Sequence, residues 1–240
     1  QQLFEYKFAD DQGLGAPIPE GFQKIPTHFV YDVKHDGRHK ARMVAGGHRT
    51  QVPVGSVYSG VVSLAGIRIV TFLAELNDLE VWGTDIGNAY LESYTKEKVA
   101  FVAGPEFGAL EGHTFLIRKA LYGLRSSGAR WHDRLYDSLT GMGFTPCKSD
   151  PDIWMRPCND HYEYIACYVD DLLIASKNPQ GIIDALMAAP NNYKLKGTGP
   201  VNYHLGCDFF RDEDNTMCFG PKAYIERICL QFESMFGTKP

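Results

Sequence analysis

The sequence has no apolar stretch approaching the roughly 20 residues that a membrane helix needs. Its start, QQLFEYKFADD, lacks the basic end and apolar centre of a secretory leader, so a soluble, intracellular protein with no membrane partner is expected. Cysteine is scarce and unpatterned: Cys147, Cys158, Cys167, Cys207, Cys218 and Cys229 form no CxxC and no Cys/His pairing at zinc-finger spacing. Reduced thiols are therefore expected over a disulfide framework. Repeats and low-complexity tracts are missing too. So is an excess of positive charge, since a formal charge of -5 excludes a generic coat for nucleic acid, whose sequence-independent affinity comes from Lys and Arg. What remains, with 44% hydrophobic and 22% charged residues over 240 positions, is a globular chain that fits one large domain or two to three small lobes.

The positive charge that is present is concentrated. Lys34, Arg38, Lys40, Arg42 and Arg49 are opposed only by Asp36, and Arg118, Lys119, Arg125, Arg130 and Arg134 only by Asp133. Patches of one sign bind polyanions even on an acidic protein. The first patch lies on two strand-like runs, HFVYDVKH and RHKARMVA, joined by Asp36-Gly37, a strong hairpin signal because both turn residues tolerate positive φ. Side chains alternate along a strand, so Lys40, Arg42 and Val44 share a face with the two cations about 7 Å apart. That pair suits a triphosphate; the competing reading is a solvated strand face.

Residues 1–27, rich in Gly and Pro, read as an irregular arm. Ser63 caps a predicted helix whose apolar residues Leu64, Ile67, Val70, Leu73 and Leu76 step by three, ending near Asn77-Asp78. EVWGTD reads as a strand closing on Asp85, KVAFV and TFLIR as two more, and SSGARWHDRLYDSLTGMGF as a helix stopping at Gly143. DIWMR and HYEYIACYV form a hairpin about Asn159-Asp160, PQGIIDALMAA a helix, VNYHLGCDFF and TMCFG a hairpin about residues 212–215, and KAYIERICLQFESMF a last amphipathic helix. Hairpins this frequent predict an α+β fold with a mostly antiparallel sheet.

One stretch contradicts its surroundings. CYVDDLLIAS sets Asp170 and Asp171 at a bend in an otherwise apolar run, which means either a solvated turn or a metal site. With Asp85 at the end of a neighbouring strand, three carboxylates can converge. Mg²⁺ prefers oxygen ligands and takes one or two carboxylates plus substrate phosphates, and two such ions about 3.5–4 Å apart serve phosphoryl transfer.

These segments, in this order and spacing, are highly specific. VKHDGRHKARMVAGGHRT, VYSGVVSL, WGTDIGNAYLE, FVAGPEFGALEGHTFLIRKALYGLRSSGARWH, GFTPCKSDPDIWM, YIACYVDDLLIAS, YKLKGTGPVNYHLGCDFF and KAYIERI together resemble the reverse transcriptase domain of copia-type LTR retrotransposons over roughly residues 22–240. The resemblance implies a right-hand polymerase: fingers at 28–80, palm at 81–103 and 126–206 built on a ferredoxin-like sheet, a fingers/palm junction at 104–125, and a primer-grip hairpin with the start of a thumb at 207–240. It implies RNA-directed DNA polymerase activity with two Mg²⁺ ions, Mn²⁺ being the alternative. The implied partners are RNA template, DNA primer/template and dNTPs, with a second copy of the chain or other Pol segments beside them. The implied location is cytoplasmic particles or the nucleus.

Residue roles follow by the same resemblance. Asp85 and Asp170 hold both metals, Asp171 supports them, and the Ile86 carbonyl completes the shell. Lys40 and Arg42 grip the triphosphate. Tyr90 is the steric gate that excludes a 2′-hydroxyl, with a core tyrosine as the competing reading. Gly123 lets the backbone of KALYGLRSSGARWH approach template and base pair, and Trp131 is assigned to the core. Tyr168 and Val169 line the primer end, Lys194 or Lys196 protonates departing pyrophosphate, with ordinary surface lysines as the competing reading, and Tyr203, His204, Leu205 and Gly206 form the primer grip. Gly46-Gly47-His48 departs from the Arg-Gly-Phe of many relatives. The family polyprotein continues into the rest of the thumb and ribonuclease H, so an excerpt is expected. The alternatives are a non-enzymatic RNA-binding module, which needs no buried acids and for which no stacking aromatic motif is present, and an inactive retroelement fragment.

Overall fold

The computed structural model describes residues 7–33, 37–53, 55 and 57–240. Lys34 and the Asp36 half of the expected Asp36-Gly37 turn lie outside these residues. In chain order the strands are β1 (Ala9–Leu14), β2 (Gln23–Lys24), β3 (Thr27–Val33), β4 (His39–Ala45), β5 (Glu80–Ile86), β6 (Val99–Val102), β7 (His113–Ile117), β8 (Thr145–Pro146), β9 (Ile153–Cys158), β10 (His161–Tyr168), β11 (Asp171–Ser176), β12 (Leu195–Pro200), β13 (Tyr203–His204), β14 (Cys207–Arg211) and β15 (Met217–Gly220). The helices are α1 (Leu64–Leu76), α2 (Ser127–Gly141), α3 (Pro179–Met187) and α4 (Lys222–Phe236). The chain is thus α+β, as its pattern of runs predicts. None of the described helices is long and apolar enough to cross a membrane.

Two compact units divide the chain, one of residues 1–59 with 88–137 and the other of 60–87 with 138–240. The first holds a four-stranded sheet in the order β1-β7-β6-β2 and the separate β3-β4 hairpin. Its core gathers Phe8, Ile25, Met43, Phe101, Phe115, Ile117 and Leu121, with the Phe101 and Phe115 rings stacked 5.2 Å apart. The reading of 1–27 as irregular is corrected at Ala9–Leu14 and Gln23–Lys24. β1 pairs antiparallel with β7, and β2 pairs parallel with β6. The Phe8 carbonyl accepts the backbone N–H groups of Arg118 and Lys119, and the Phe8 side chain is buried. Two aromatic-free strands, ADDQGL and QK, carry no periodic signal; they are recruited by the unpaired edges of β6 and β7, a long-range cause that local sequence does not show.

The second unit carries a six-stranded sheet, β12-β5-β11-β10-β9-β8, in which each neighbouring pair is antiparallel. Its four central strands lie in the order β12-β5-β11-β10, with α1 and α3 packed against them. α1 begins where predicted, because the Ser63 hydroxyl accepts from Gly66 N at 2.9 Å; Ser63 in turn donates from N and Oγ to Asp150. A cap of this kind contributes about 1 kcal/mol. The helix lays Val70 and Ala74 against Val81, Ala166, Leu173 and Ala175 of the sheet. α2 also ends as expected: Phe144 N donates to Leu139 O and Gly143 N to Thr140 O, with Gly143 at φ 86, a Schellman close that needs glycine. β12 went unpredicted because LKGTGP holds two glycines and a proline; β5 nonetheless supplies it with a partner, with a register shift between Lys196 and Gly199.

The three-stranded sheet β13-β14-β15 places His204 inside, 6% exposed, with no hydrogen-bond partner for Nε2. Burial depresses its pKa from 6.5 to about 4, so the ring is neutral at pH 7. A depressed folded-state pKa contributes stability that is complete above pH 6.5 and lost as pH falls through about 4. His204→Phe is therefore expected to flatten that part of the profile: thermal melts between pH 7 and pH 4.5 should show a smaller drop in Tm than the parent. An equal or larger drop would contradict the assignment.

Candidate active site

The acidic bend is as tight as a hairpin allows. β10 ends at Tyr168 and β11 begins at Asp171, these two residues pair, and only Val169 and Asp170 make the turn. Val169 has φ 56 whereas Asp170 is not among the positive-φ residues, the pattern of a type II′ turn. Glycine is the usual occupant of that first position, and a β-branched side chain there is strained. The turn is held by its neighbours. Ile86 N donates to Asp170 O at 2.8 Å, tying the bend to the end of β5, and the preceding Cys167 is fixed by bonds from Val62 N to its carbonyl and from its own N to Asp152 O, each 2.9 Å.

The β11-β5 register then decides which side chains meet. Asp171 lies directly opposite Asp85, and Asp85 lies directly opposite Lys196 on β12. Residues directly opposite in an antiparallel pair have Cα atoms about 4.5–5.5 Å apart and side chains on one face. A row of Asp171, Asp85 and Lys196 thus crosses three strands, with Asp170 at its end. Asp171 shows the effect of this crowding. Its pKa rises from 3.8 to about 6, first through burial and then through the charges of Asp170 and Asp85.

The donor set fits hard divalent ions. Three carboxylates and a strand-end carbonyl are all oxygen ligands, and their mutual repulsion is what a cation relieves. Ile86 is fully buried, and of its groups only the backbone carbonyl is an oxygen donor. Among the described residues, the oxygens of all three aspartates do not come within 4.8 Å of one another. Mg²⁺ does not need that closeness, because it keeps waters and shares its shell with phosphate oxygens.

The expected nucleotide-binding residues lie in the other unit, where three of them are brought together by a fourth that sequence reasoning missed. The Tyr90 and Tyr122 rings are tilted against each other 4.8 Å apart, and the Arg42 guanidinium lies 5.7 Å from the Tyr122 centroid. Tyr122 sits next to Gly123, and its carbonyl accepts Ala45 N from β4 at 2.7 Å. Gly123 is required here. At φ 89 its position is left-handed, and a Cβ would fall well inside contact distance of Ala45 O. The only signal for Tyr122 is its place in LYGLR, beside the glycine. Arg42 Nε is buried with no hydrogen-bond partner, an orphaned donor on the strand expected to grip phosphate. Lys40 shares its face, opposite Asp32.

Local geometry places the remaining expected residues. Trp131 is buried, in line with its core assignment. Tyr168 and Tyr203 are exposed. Leu205 and Gly206, both at positive φ, form a two-residue turn between β13 and β14. Lys194 O accepts Gly87 N at 2.8 Å, and a Cβ on Gly87 would lie 3.1 Å from Lys196 Nζ, so both lysines belong to the end of β5. The second basic patch is largely spent on structure: Arg118 pairs with Asp10, Arg130 with Asp133, and Arg125 donates to the carbonyls of Gly47 and His48. The divergent Gly46-Gly47-His48 segment is thereby held as a 3₁₀ turn over Gly47–Arg49. A hollow of about 800 Å³ is lined by Gln23, Thr50, Lys96, Glu97 and Arg130 among others and not by the aspartates.

A family model described as reverse transcriptase (RNA-dependent DNA polymerase) matches residues 16–238. The chain is 27% identical over 236 residues to the retrovirus-related Pol polyprotein from transposon TNT 1-94 of Nicotiana tabacum, covering 93% of this chain and 18% of that protein. It is 28% identical over 204 residues to the corresponding polyprotein from transposon RE1 of Arabidopsis thaliana, covering 81% of this chain and 14% of that protein. The chain therefore spans less than a fifth of the length of these two relatives.

Two measurements test the geometry. A raised carboxyl pKa means that Asp171 favours the fold when protonated and that this advantage is lost as pH rises from 3.8 through about 6. Asp171→Asn should accordingly raise the Tm of the metal-free protein at pH 7, by about 2–4 °C if roughly 1 kcal/mol of repulsion is removed, and leave it unchanged at pH 4. Added Mg²⁺ should stabilise the parent more than Asp85→Asn. In the other unit, Gly123→Ala should cost more than about 1 kcal/mol in denaturant unfolding, since it combines a positive φ with a backbone clash.

Proposed function

The chain belongs to the reverse transcriptase (RNA-dependent DNA polymerase) family, and from that premise we propose that it is the polymerase segment of a copia-type retrotransposon Pol polyprotein, adding dNTPs to a DNA primer on an RNA or DNA template. The observation that supports this most is the strand register that sets Asp171 opposite Asp85 with Asp170 in the adjoining turn. On this reading residues 28–80 supply fingers, 81–103 and 126–206 the palm, 104–125 their junction, and 207–240 the primer-grip hairpin and the start of a thumb.

Asp85 and Asp170, with the Ile86 carbonyl, are the residues that would hold two Mg²⁺ ions, or Mn²⁺ in their place. Bound there, the ions supply the positive charge that activates the attacking hydroxyl and stabilises the leaving oxygen. Asp171 orients its neighbours and adds negative charge to the cluster. The primer 3′-hydroxyl loses its proton to solvent and attacks the α-phosphorus in line, so that a P–O bond forms as the bond to pyrophosphate breaks. Lys40 and Arg42 neutralise the triphosphate, whose charge shifts toward the leaving group as that bond breaks. Lys196, whose position faces Asp85 across the strand pair, or Lys194 beside it, protonates the departing pyrophosphate. Tyr90, steadied by Tyr122, excludes a ribose 2′-hydroxyl by bulk, a repulsive form of specificity. Gly123 lets the backbone approach the nascent pair, Tyr168 and Val169 line the primer terminus, and the Tyr203–Gly206 hairpin positions it. Cytoplasmic particles, and then the nucleus, are the proposed setting, with a second copy or other Pol segments as protein partners.

Primer extension on poly(rA)/oligo(dT) with Mg²⁺ is the direct test. The parent should extend, Asp170→Asn should lose about a hundred- to a thousandfold in rate, the scale of removing a charge-stabilising group, and Tyr90→Ala should gain ribonucleotide incorporation. Extension that is indifferent to Asp170→Asn would remove the site assignment.

A further inference from the structure

The far end of β10 carries a second cluster that polymerase chemistry does not use. Cys158 and His161 are cross-strand partners about the Asn159-Asp160 turn, and Glu163 follows His161 by two residues on the same strand. Pairing and alternation put all three side chains on one face of the sheet. The Cys158 sulfur, a ring nitrogen of His161 and a carboxylate oxygen of Glu163 all lie within 4.8 Å of one another. Along an eight-residue strand the cluster is roughly 23 Å from the acidic turn, at about 3.3 Å per residue.

Two features separate this cluster from a chance gathering of polar groups. The His161 side chain is only 8% exposed, and its Nε2 is buried with no hydrogen-bond partner. An unpaired buried ring nitrogen is costly unless something fills it. His161 Nδ1 stands 2.9 Å from Asp160 Oδ1, and because an ionised carboxylate only accepts, Nδ1 carries the proton and Nε2 of the neutral ring keeps its lone pair. This carboxylate–histidine arrangement fixes the tautomer and orientation of metal-binding imidazoles. Glu163 is oriented in the same manner: Arg156 donates to Oε2 at 2.9 and 2.6 Å, and the Ser176 hydroxyl donates to Oε1 at 2.6 Å. A carboxylate has about four lone-pair directions, so ligation remains open to it. Cys158 is a free, half-buried thiol, within reach of an entering ion.

We propose that Cys158, His161 and Glu163 form a transition-metal site, suited to Zn²⁺ with water as fourth ligand, that clips the β9-β10 hairpin. Sulfur, imidazole and carboxylate together select a borderline-soft ion such as Zn²⁺ over Mg²⁺, which wants oxygen alone. Ligand atoms around tetrahedral zinc sit about 3.3–3.6 Å apart given its bond lengths, so from mutual distances within 4.8 Å closure needs a contraction of at most about 1.5 Å. That movement is within the reach of side chains at a hairpin end. Binding displaces the Cys158 proton to solvent and leaves the Arg156–Glu163 ion pair in place.

The test is titration of the demetallated full chain with Co²⁺, reading the thiolate-to-cobalt charge-transfer band and the strong visible absorption of four-coordinate cobalt, followed by competition with Zn²⁺. One equivalent should bind with the charge-transfer band present. Cys158→Ser should abolish that band, whereas Cys218→Ser should not; His161→Gln should weaken binding at least tenfold; and Asp160→Asn, acting only through the ring, by about 10–100-fold. Circular dichroism and melting of the metal-free variants should match the parent, which keeps misfolding from imitating lost binding. Absence of the band in the parent, or its persistence in Cys158→Ser, would overturn the site. Neither result bears on Asp85 or Asp170.

Discussion

Two like charges facing each other across an antiparallel strand pair are unfavourable, and the second unit is organised to hold them there. The register of β11 against β5 that sets Asp171 opposite Asp85 also sets Leu173 opposite Gly83, Ile174 opposite Trp82 and Ala175 opposite Val81. A slip of one residue would bring Trp82 where Gly83 now leaves room and turn each side chain to the other face. Leu172, Leu173, Ile174 and Ala175 are all fully buried, so such a slip is strongly opposed. The apolar middle of the sheet fixes a position that the acids at its end would not choose. Repulsion among Asp85, Asp170 and Asp171 is therefore stored rather than relaxed, which is the condition under which a cation binds usefully.

Saturated and unsaturated polar groups divide along the same line. Glu163, Glu97, Glu75 and Asp150 each accept two or more hydrogen bonds from side chains or backbone, and they hold structure together. Arg42 Nε and His161 Nε2 are buried without a hydrogen-bond partner, and Asp171 is half-buried among its own kind. Folding tolerates few such groups, and each one that persists calls for a reason such as strain, a functional role, or a water or ion that fills it. Val169 belongs with them, since positive φ at a valine is a cost the surrounding bonds to Ile86 and Cys167 must offset.

Much of this was legible in the sequence because the relevant signals are local. The Ser63 cap, the Gly143 stop, the Asn159-Asp160 turn and the apolar runs flanking Asp170-Asp171 each depend on a few neighbouring residues, and each is found where its residues predict. β1, β2 and β12 were illegible for the converse reason. Their sequences hold no alternation, and they are strands only because a distant edge has unpaired groups to offer. Tyr122 was hidden likewise. Nothing in LYGLR announces that its ring will touch Tyr90, 32 positions earlier, and stand beside Arg42. Cys158, His161 and Glu163 escaped because zinc-finger spacing was sought along the chain, whereas pairing across a two-residue turn is what joins them.

The two ends of β10 show how one strand can carry two chemistries. Its middle, Ile165, Ala166 and Cys167, is buried and can hold no charge, so polar groups are confined to the hairpin turns at either end. At one end the chain offers carboxylates and a backbone carbonyl, hard donors that leave room for water and phosphate. At the other it offers sulfur, imidazole and an oriented carboxylate, donors that hold a softer ion firmly. One antiparallel register places both turns, and it is set by the buried apolar middle of the strand rather than by the polar groups at either end.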